Sequence, residues 1–287
     1  MKIKLLIILT FVLLMGTISF AQDAPKNTNP FPFAQYNEPS LSLVNQISNP
    51  NGYNRLPSKK LTLYQHWLTN MPLKPKGTPS TNWKGKKISK ADTLNRIVDI
   101  DVNSKYITDA DIPVLLLLHF FRMQGNVDEF NVRLKKQLSV NYKKWRQGEY
   151  IDEKGKDIYY KPSGMSRADT DEEFLMFLDF ITKYFDTKSL RLNVEHTDSR
   201  VFKPSHMLIQ YKEDDPDSVG HVSVILDAAV NDDYEARKML IAYGGNPAQS
   251  VVVPNNPYDT GNKWFTLDEI REHLLEYGMG YVYRWVN

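Results

Sequence analysis

The sequence predicts an α+β fold, with N-terminal helices packed on a mainly antiparallel C-terminal sheet. Three observations carry that reading. Apolar residues recur at helical spacing through much of residues 58–185. From residue 206 onward the pattern changes to short runs of alternating apolar residues separated by turn signals. Helices first and sequential strands afterwards is the order of an antiparallel sheet with helices on one side.

Taken in order, the chain opens with "MKIKLLIILTFVLLMGTISFAQ". Lys2 and Lys4, the apolar run Leu5 to Met15 and the small-x-small triplet Ser19-Phe20-Ala21 are the three parts of a secretory signal peptide, expected over 1–21. Residues 22–52, rich in Asn, Pro and Ser, are expected to be a flexible linker, and 53–287 a single α+β domain. Ser58 is placed to cap a helix carrying Leu61, Tyr64, Trp67 and Leu68, which "MPLKPKGTPS" then breaks. "NRIVDIDV" (95–102) alternates like a strand. Thr108 starts a helix whose body, "VLLLLHFF" (114–121), is apolar all round and therefore central; His119 within it reads as a hydrogen-bonded core residue. "VDEFNVRLKKQL" (127–138) reads as an amphipathic helix. The next helix begins near Asp169 and carries the stripe Phe174, Phe177, Leu178, Ile181 and Phe185. Strands follow at 206–211, 221–230, 237–243, 249–253 and 279–286, with a capping box from Thr266 to Glu269 before the last.

Composition excludes several functions. There is no cysteine, which closes disulfides, thiolate metal sites, cysteine nucleophiles and a lipoprotein anchor. The formal charge of +2 disappears once Lys2 and Lys4 are removed, which argues against a nucleic-acid partner. Past the signal peptide no segment is long and apolar enough for an integral membrane span. Charge is uneven, however: nine Lys or Arg and no acid lie between Arg55 and Lys90, while "EDDPD" (213–217) and "DTDEE" (169–173) are acidic. The histidines show no metal-ligand spacing and no glycine loop cradles a phosphate, so no cofactor is expected.

The candidate functional residues centre on "GHVSVILDAAV" (220–230). Alternation sends His221, Ser223, Ile225 and Asp227 to one face, polar enough to line a cleft, and Val222, Val224, Leu226 and Ala228 to the core. Asp227 lies about 20 Å along the strand, too far to orient the imidazole, and reads as a strand-end acid. His221 is the candidate catalytic residue, and Gln249, opening a later strand after the "YGGNP" turn, is a candidate ligand-binding residue. His206 opens a strand as His221 does, which suggests that both stand at one sheet edge. Trp145 and Arg146 in "KKWRQG" offer an indole for stacking on a sugar and a guanidinium for carboxylates, or alternatively a core cap and a structural ion pair. Ser163, Ser166 and Ser189 stand near turns or helix starts, but no G-x-S-x-G elbow accompanies them.

Five stretches together resemble the bacterial family known as domain of unknown function 4846: "MPLKPKGTP" (71–79), "VDIDV" (98–102), "NYKKWRQGEY" (141–150), "GHVSVILDAAVN" (220–231) and "NPAQSVVVPNNP" (246–257). The Gly-His strand is also similar to papain-like amidases of the NlpC/P60 and CHAP kind, and this resemblance implies a papain-like fold in which a strand-start histidine serves a cysteine at a helix N-terminus. The family resemblance implies Cys-Ala-Asp at the start of the central helix. This chain reads "DADIPVLLLLHFF", with Ala110 or its neighbour at the cysteine's place, and Ser205-His206 where relatives carry Gly-Asp. The resulting expectation is a periplasmic or secreted envelope domain that binds a peptide or glycan, such as peptidoglycan, without cysteine catalysis. The alternatives are an envelope amide or glycan hydrolase using His221 with a non-cysteine nucleophile, and a structural partner of an outer-membrane assembly.

Overall fold

Alternation along residues 221–230 produces a ten-residue strand around which the sheet assembles. The computed structural model describes residues 30–88, 92, 94–134, 138–154, 157–212, 220–234 and 237–286. The expected signal peptide and the acidic run 213–217 lie outside the described residues. The helices are α1 (Leu43–Gln46), α2 (Leu63–Thr69), α3 (Asp111–Gln124), α4 (Tyr142–Arg146), α5 (Asp171–Tyr184), α6 (Thr187–Arg191) and α7 (Leu267–His273). The strands are β1 (Asn54–Arg55), β2 (Arg96–Ile97), β3 (Val132–Arg133), β4 (Ser139–Val140), β5 (Glu149–Lys154), β6 (Asp157–Pro162), β7 (Val194–His196), β8 (Met207–Tyr211), β9 (His221–Val230), β10 (Arg237–Ala242), β11 (Val252–Val253) and β12 (Met279–Trp285). The fold is α+β with antiparallel pairing throughout these strands.

The main sheet runs β1-β9-β8-β12-β7, with β10 also paired to β9. Val224 faces both Met207 and Ala242, and Val230 faces both Asn54 and Arg237. One edge of β9 is therefore taken by β10, and the other by β8 at its start and β1 at its end. Both faces are covered. Val222, Val224 and Leu226 join the larger core with α3 and α5, while Ile225, Ala228 and Val230 join a second core with Phe265, Ile270 and Leu274. All ten residues of β9 are buried in consequence.

That double cover corrects the expectation of a solvated or cleft-lining face on β9. Asp227 is 1 % exposed, in mid-strand rather than at a strand end. A β-bulge explains its orientation. Leu240 pairs with Asp227 and Ile241 with Ile225, so Leu226 is the extra residue and alternation shifts by one. Asp227 thereby joins the side of Leu240 and the larger core, opposite to Ile225. There Arg55 Nε meets its Oδ2 at 2.5 Å, while the same guanidinium donates to Asn49 and to the Ile47 carbonyl.

The helices follow their local signals with two exceptions. Thr62, not Ser58, caps α2, because a full capping box with Gln65 is formed there and Ser58 opens only a 3-10 turn. The amphipathic helix expected over 127–138 is instead a 3-10 turn at 127–129 followed by the β3–β4 hairpin. Val132 and Leu134 are both fully buried at a spacing of two, and the Asn193 amide bonds both the N–H and the carbonyl of Arg133. This clamp comes from 60 residues away, beyond the reach of local periodicity. Within the segment expected as a linker, residues 30–52 carry α1 and bury Phe31, Leu43 and Ile47. His119 lies among rings, 4.3 Å from Phe33 and 5.5 Å from Phe174, and burial holds its pKa at about 4.

Burial pushes Asp227 up to about 6 against the pull of Arg55. Its folded pKa stands above its unfolded one, so its stabilising contribution is complete below the unfolded value and is lost as pH rises through about 6. Arg55→Met removes the compensating charge. It is expected to cost about 3–5 kcal/mol at pH 7 and distinctly less at pH 4.5, read from urea unfolding at the two pH values.

Candidate functional site

β9 begins where β10 has already ended. The last β10 pair is Ala242 with Val224, and the next amide of β9 facing that side is Val222's. The start of α3 fills the place. Asp109 Oδ2 accepts from the Val222 N–H at 3.1 Å and lies 2.6 Å from His221 Nδ1. Asp109 Oδ1 accepts from the Ala110 N–H at 2.8 Å. The carboxylate is thus held by two backbone donors and an imidazole, all in a buried setting.

The other faces of the imidazole are aromatic. Tyr277, on the turn after α7, stacks on it at 4.6 Å with planes 23° apart, and Tyr243 meets it edge-on at 4.9 Å. His221 Nε2 is buried and has no hydrogen-bond partner among the described residues. Ser223 shares the face of His221 on β9, yet its Oγ is also without a partner, so no Asp–His–Ser relay is formed. His273 lies close by, and burial followed by the neighbouring His221 holds its pKa down.

A second acid stands one step along the same helix start. Asp111 is fully buried; its Oδ2 accepts from the Thr108 N–H at 2.7 Å and the Thr108 hydroxyl at 2.8 Å. Burial pushes its pKa up to about 8, the Thr108 bonds oppose this, and Asp109 and Asp186 add to it. Two acids two residues apart at this helix start therefore differ: Asp109 is bonded to an imidazole, and Asp111 tends to hold its proton.

The other sequence candidates are distributed around the molecule. His206 does not share an edge with His221. β8 and β9 are antiparallel with His221 opposite Gln210, so the two strand starts lie at opposite ends, about 13 Å apart at ~3.3 Å per residue. Trp145 donates its Nε1–H to Glu173 at 2.7 Å and packs on Phe177 and Phe180, with the Arg167 guanidinium 3.9 Å over its ring. Arg146 pairs with Asp128 at 2.5 Å. Trp145 belongs to the α4–α5 packing and Arg146 to the contact of α4 with the 127–129 turn, and their geometry is that of a core cap and a structural ion pair. Gln249 folds beneath Gly245, where an added Cβ would fall 1.9 Å from its Nε2, and it does not partner His221 Nε2.

His206 lines a cleft of about 960 Å³ among α2, α3, the turn before β3 and the end of β12. Its Nδ1 accepts from the Lys203 N–H at 3.3 Å, which leaves the ring proton on Nε2. Burial, then Lys203, Arg284 and Arg237, push its pKa down to about 4. Sequence reading missed this group of cations because they are scattered from 133 to 284 and share no motif. Asp109 was equally hidden: 112 positions separate it from His221, and only the repeat of acids in "DAD" marks it.

What fold and site define is an α+β domain with a buried carboxylate–imidazole pair joining a helix start to a strand start, and an open cationic cleft at the other end of the sheet. A family model described as Domain of unknown function (4846) matches residues 43–278, and the chain belongs to that family. No curated protein and no solved structure matches the chain. Among the described residues, no group of three or more histidines and acids could hold a metal ion, and no helix is long and apolar enough to cross a membrane.

Asp111 supplies a pH test. Its folded pKa is raised, so its contribution to stability is complete below the unfolded value and is lost as pH rises through about 8. Asp111→Asn removes that titration while keeping an acceptor for Thr108. Urea midpoints of the variant between pH 5 and 8 are expected to vary less than those of the wild type; an unchanged pH profile counts against a protonated Asp111.

Proposed function

We propose that this protein is an exported envelope domain that binds a peptide- or glycan-type ligand and does not catalyse its cleavage. The observation that carries the reading is the occupant of position 109. A carboxylate faces the strand-start imidazole, and its contacts are committed to His221 Nδ1, the Val222 amide and the Ala110 amide. Carboxylate nucleophiles serve glycosyl and phosphoryl transfer, but they need a free oxygen facing substrate. The remaining imidazole nitrogen is buried and has no partner among the described residues, and Tyr277 stacks on the ring face. If the family's likeness to papain-like amidases holds, Asp109 stands where a thiol would, and the exchange leaves the pair as an internal tie. The signal-like N-terminus supports export and a periplasmic or secreted location.

Two measurements test this. Wild-type protein incubated with purified sacculi is expected to release no soluble fragments by mass spectrometry; fragments that vanish with His221→Ala would instead establish a hydrolase. Asp109→Cys places a thiol beside His221. If position 109 is a nucleophile position, the thiol of the folded variant should ionise at a lower pH than that of a free-cysteine peptide, read from ultraviolet thiolate absorbance, because a neighbouring imidazolium lowers a thiol pKa. Ionisation no earlier than in the peptide removes that interpretation of the site.

A further inference from the structure

The cleft at the His206 end of the sheet combines charge with apolar surface. Arg133, Lys203, Arg237 and Arg284 line it, and Glu129 is the only acid among its described lining residues. Arg237 makes no ion pair with a described residue. Its Nη1 donates to the Phe202 carbonyl at 3.0 Å, and its Nε is buried without a partner. Arg133 likewise has no side-chain partner among the described residues, its recorded bonds being those of its backbone to Asn193. Arg284 pairs with Glu195 at 2.7 Å, but both ends are exposed, so the bond is weak and exchangeable. The charge on the described lining of the cleft is therefore mainly positive.

The wall chemistry narrows the ligand. Phe121 and Phe130 stack at 4.9 Å, and Trp285 meets Phe130 edge-on at 6.2 Å. Rings packed on one another offer apolar surface rather than separate platforms for sugar faces. The neutral amides that glycan recognition would use are already committed. Asn193 bonds Arg133 and Ser189 through its side chain, and Asn131 bonds Asn141 and the Glu129 carbonyl. Beside the Glu129 carboxylate and the hydroxyls of Tyr64, Thr197 and Ser205, the lining presents the guanidinium and ammonium groups of Arg133, Lys203, Arg237 and Arg284, and these are donors matched to carboxylates.

We propose that this cleft binds an acidic peptide segment, with carboxylates on Arg133, Arg237 and Arg284 and apolar side chains against Phe130 and Trp285. The inference rests on the ligand-binding reading above and specifies its ligand. The size agrees, since about 960 Å³ stands near the top of the range for specific pockets, roughly 300–1,000 Å³.

Calorimetric titration of the full protein with an N-acetylated, C-amidated tetrapeptide of alternating glutamate and phenylalanine tests the assignment. Binding is expected, weakening at least about tenfold from 50 mM to 500 mM salt if several ion pairs form. The same peptide with lysine for glutamate should not bind. Arg237→Gln and the solvent-exposed Arg133→Ala should each weaken binding about tenfold or more, with unfolding midpoints measured alongside so that a folding defect in the first is recognised. Absence of binding by the acidic peptide, or retention of wild-type affinity by a folded Arg133→Ala protein, overturns the proposal. So does tighter binding of an oligogalacturonate of equal charge, which would make the cleft a glycan site. Mass spectrometry of the titrated sample separates the two readings: a bound but cleaved peptide keeps the cleft and rejects the non-catalytic function, whereas an unbound, intact peptide rejects only the cleft.

Discussion

Strand β9 has helices or loops on both faces and strands along both edges, so a charged side chain on it can find a partner only inside the protein. Much of the architecture follows from how that demand is met. Asp227 takes Arg55, and through that guanidinium fixes the backbone at Ile47 and Asn49. His221 takes Asp109, and through that carboxylate the start of α3 is bonded to the sheet at Val222. Gln210, opposite His221, donates to the carbonyls of Leu274 and Gly278 and so ties β8 to the turn that carries Tyr277. One buried strand thus sets the position of the upstream segment, the central helix and the segment after α7.

The same demand decides what the histidine can do. A strand-start imidazole opposite a helix start is an arrangement suited to proton transfer, given a nucleophile and an open approach. Here the helix supplies a carboxylate, and the approach is filled by Tyr277 and Tyr243. Replacing His221 with an apolar residue would take one hydrogen bond from a buried carboxylate and leave it only the Val222 and Ala110 amides, at a cost of about 1–3 kcal/mol. His221 therefore earns its place as structure whether or not it ever meets a ligand.

Local pattern was enough for much of the fold. The buried stripe of α5, the capping box at Thr266, the apolar body of α3 and the strands β8, β9, β10 and β12 were all legible from spacing alone. Failures came where a distant group overrode the local pattern. The Asn193 clamp made a hairpin of residues with helical spacing, and one extra residue at Leu226 turned Asp227 to the opposite face. The site suffered most. His221 was visible because glycine and a strand announce it, but Asp109 became its partner only through the antiparallel sheet and the placing of α3. Trp145 and Arg146 drew attention for their chemistry, and that chemistry is satisfied locally by Glu173, Arg167 and Asp128.

Antiparallel pairing also separates charge. One end of β8 and β9 gathers Asp109, Asp111 and Asp186, close enough for the first and last to raise the proton affinity of the middle one. The other end gathers Lys203, Arg237 and Arg284, which add to burial in holding the His206 pKa down. The two strand-start histidines stand about 13 Å apart at ~3.3 Å per residue, one bonded to a carboxylate and the other facing cations. An acidic ligand of the kind proposed above would be drawn to the open cationic end and away from the acidic end, where the carboxylate–imidazole pair is buried. The closed pair and the open cleft are then two consequences of one sheet: Asp109 and Asp111 are buried where the helix start meets the sheet, and the cations of the cleft, of which Arg284 reaches Glu195, stand where it does not.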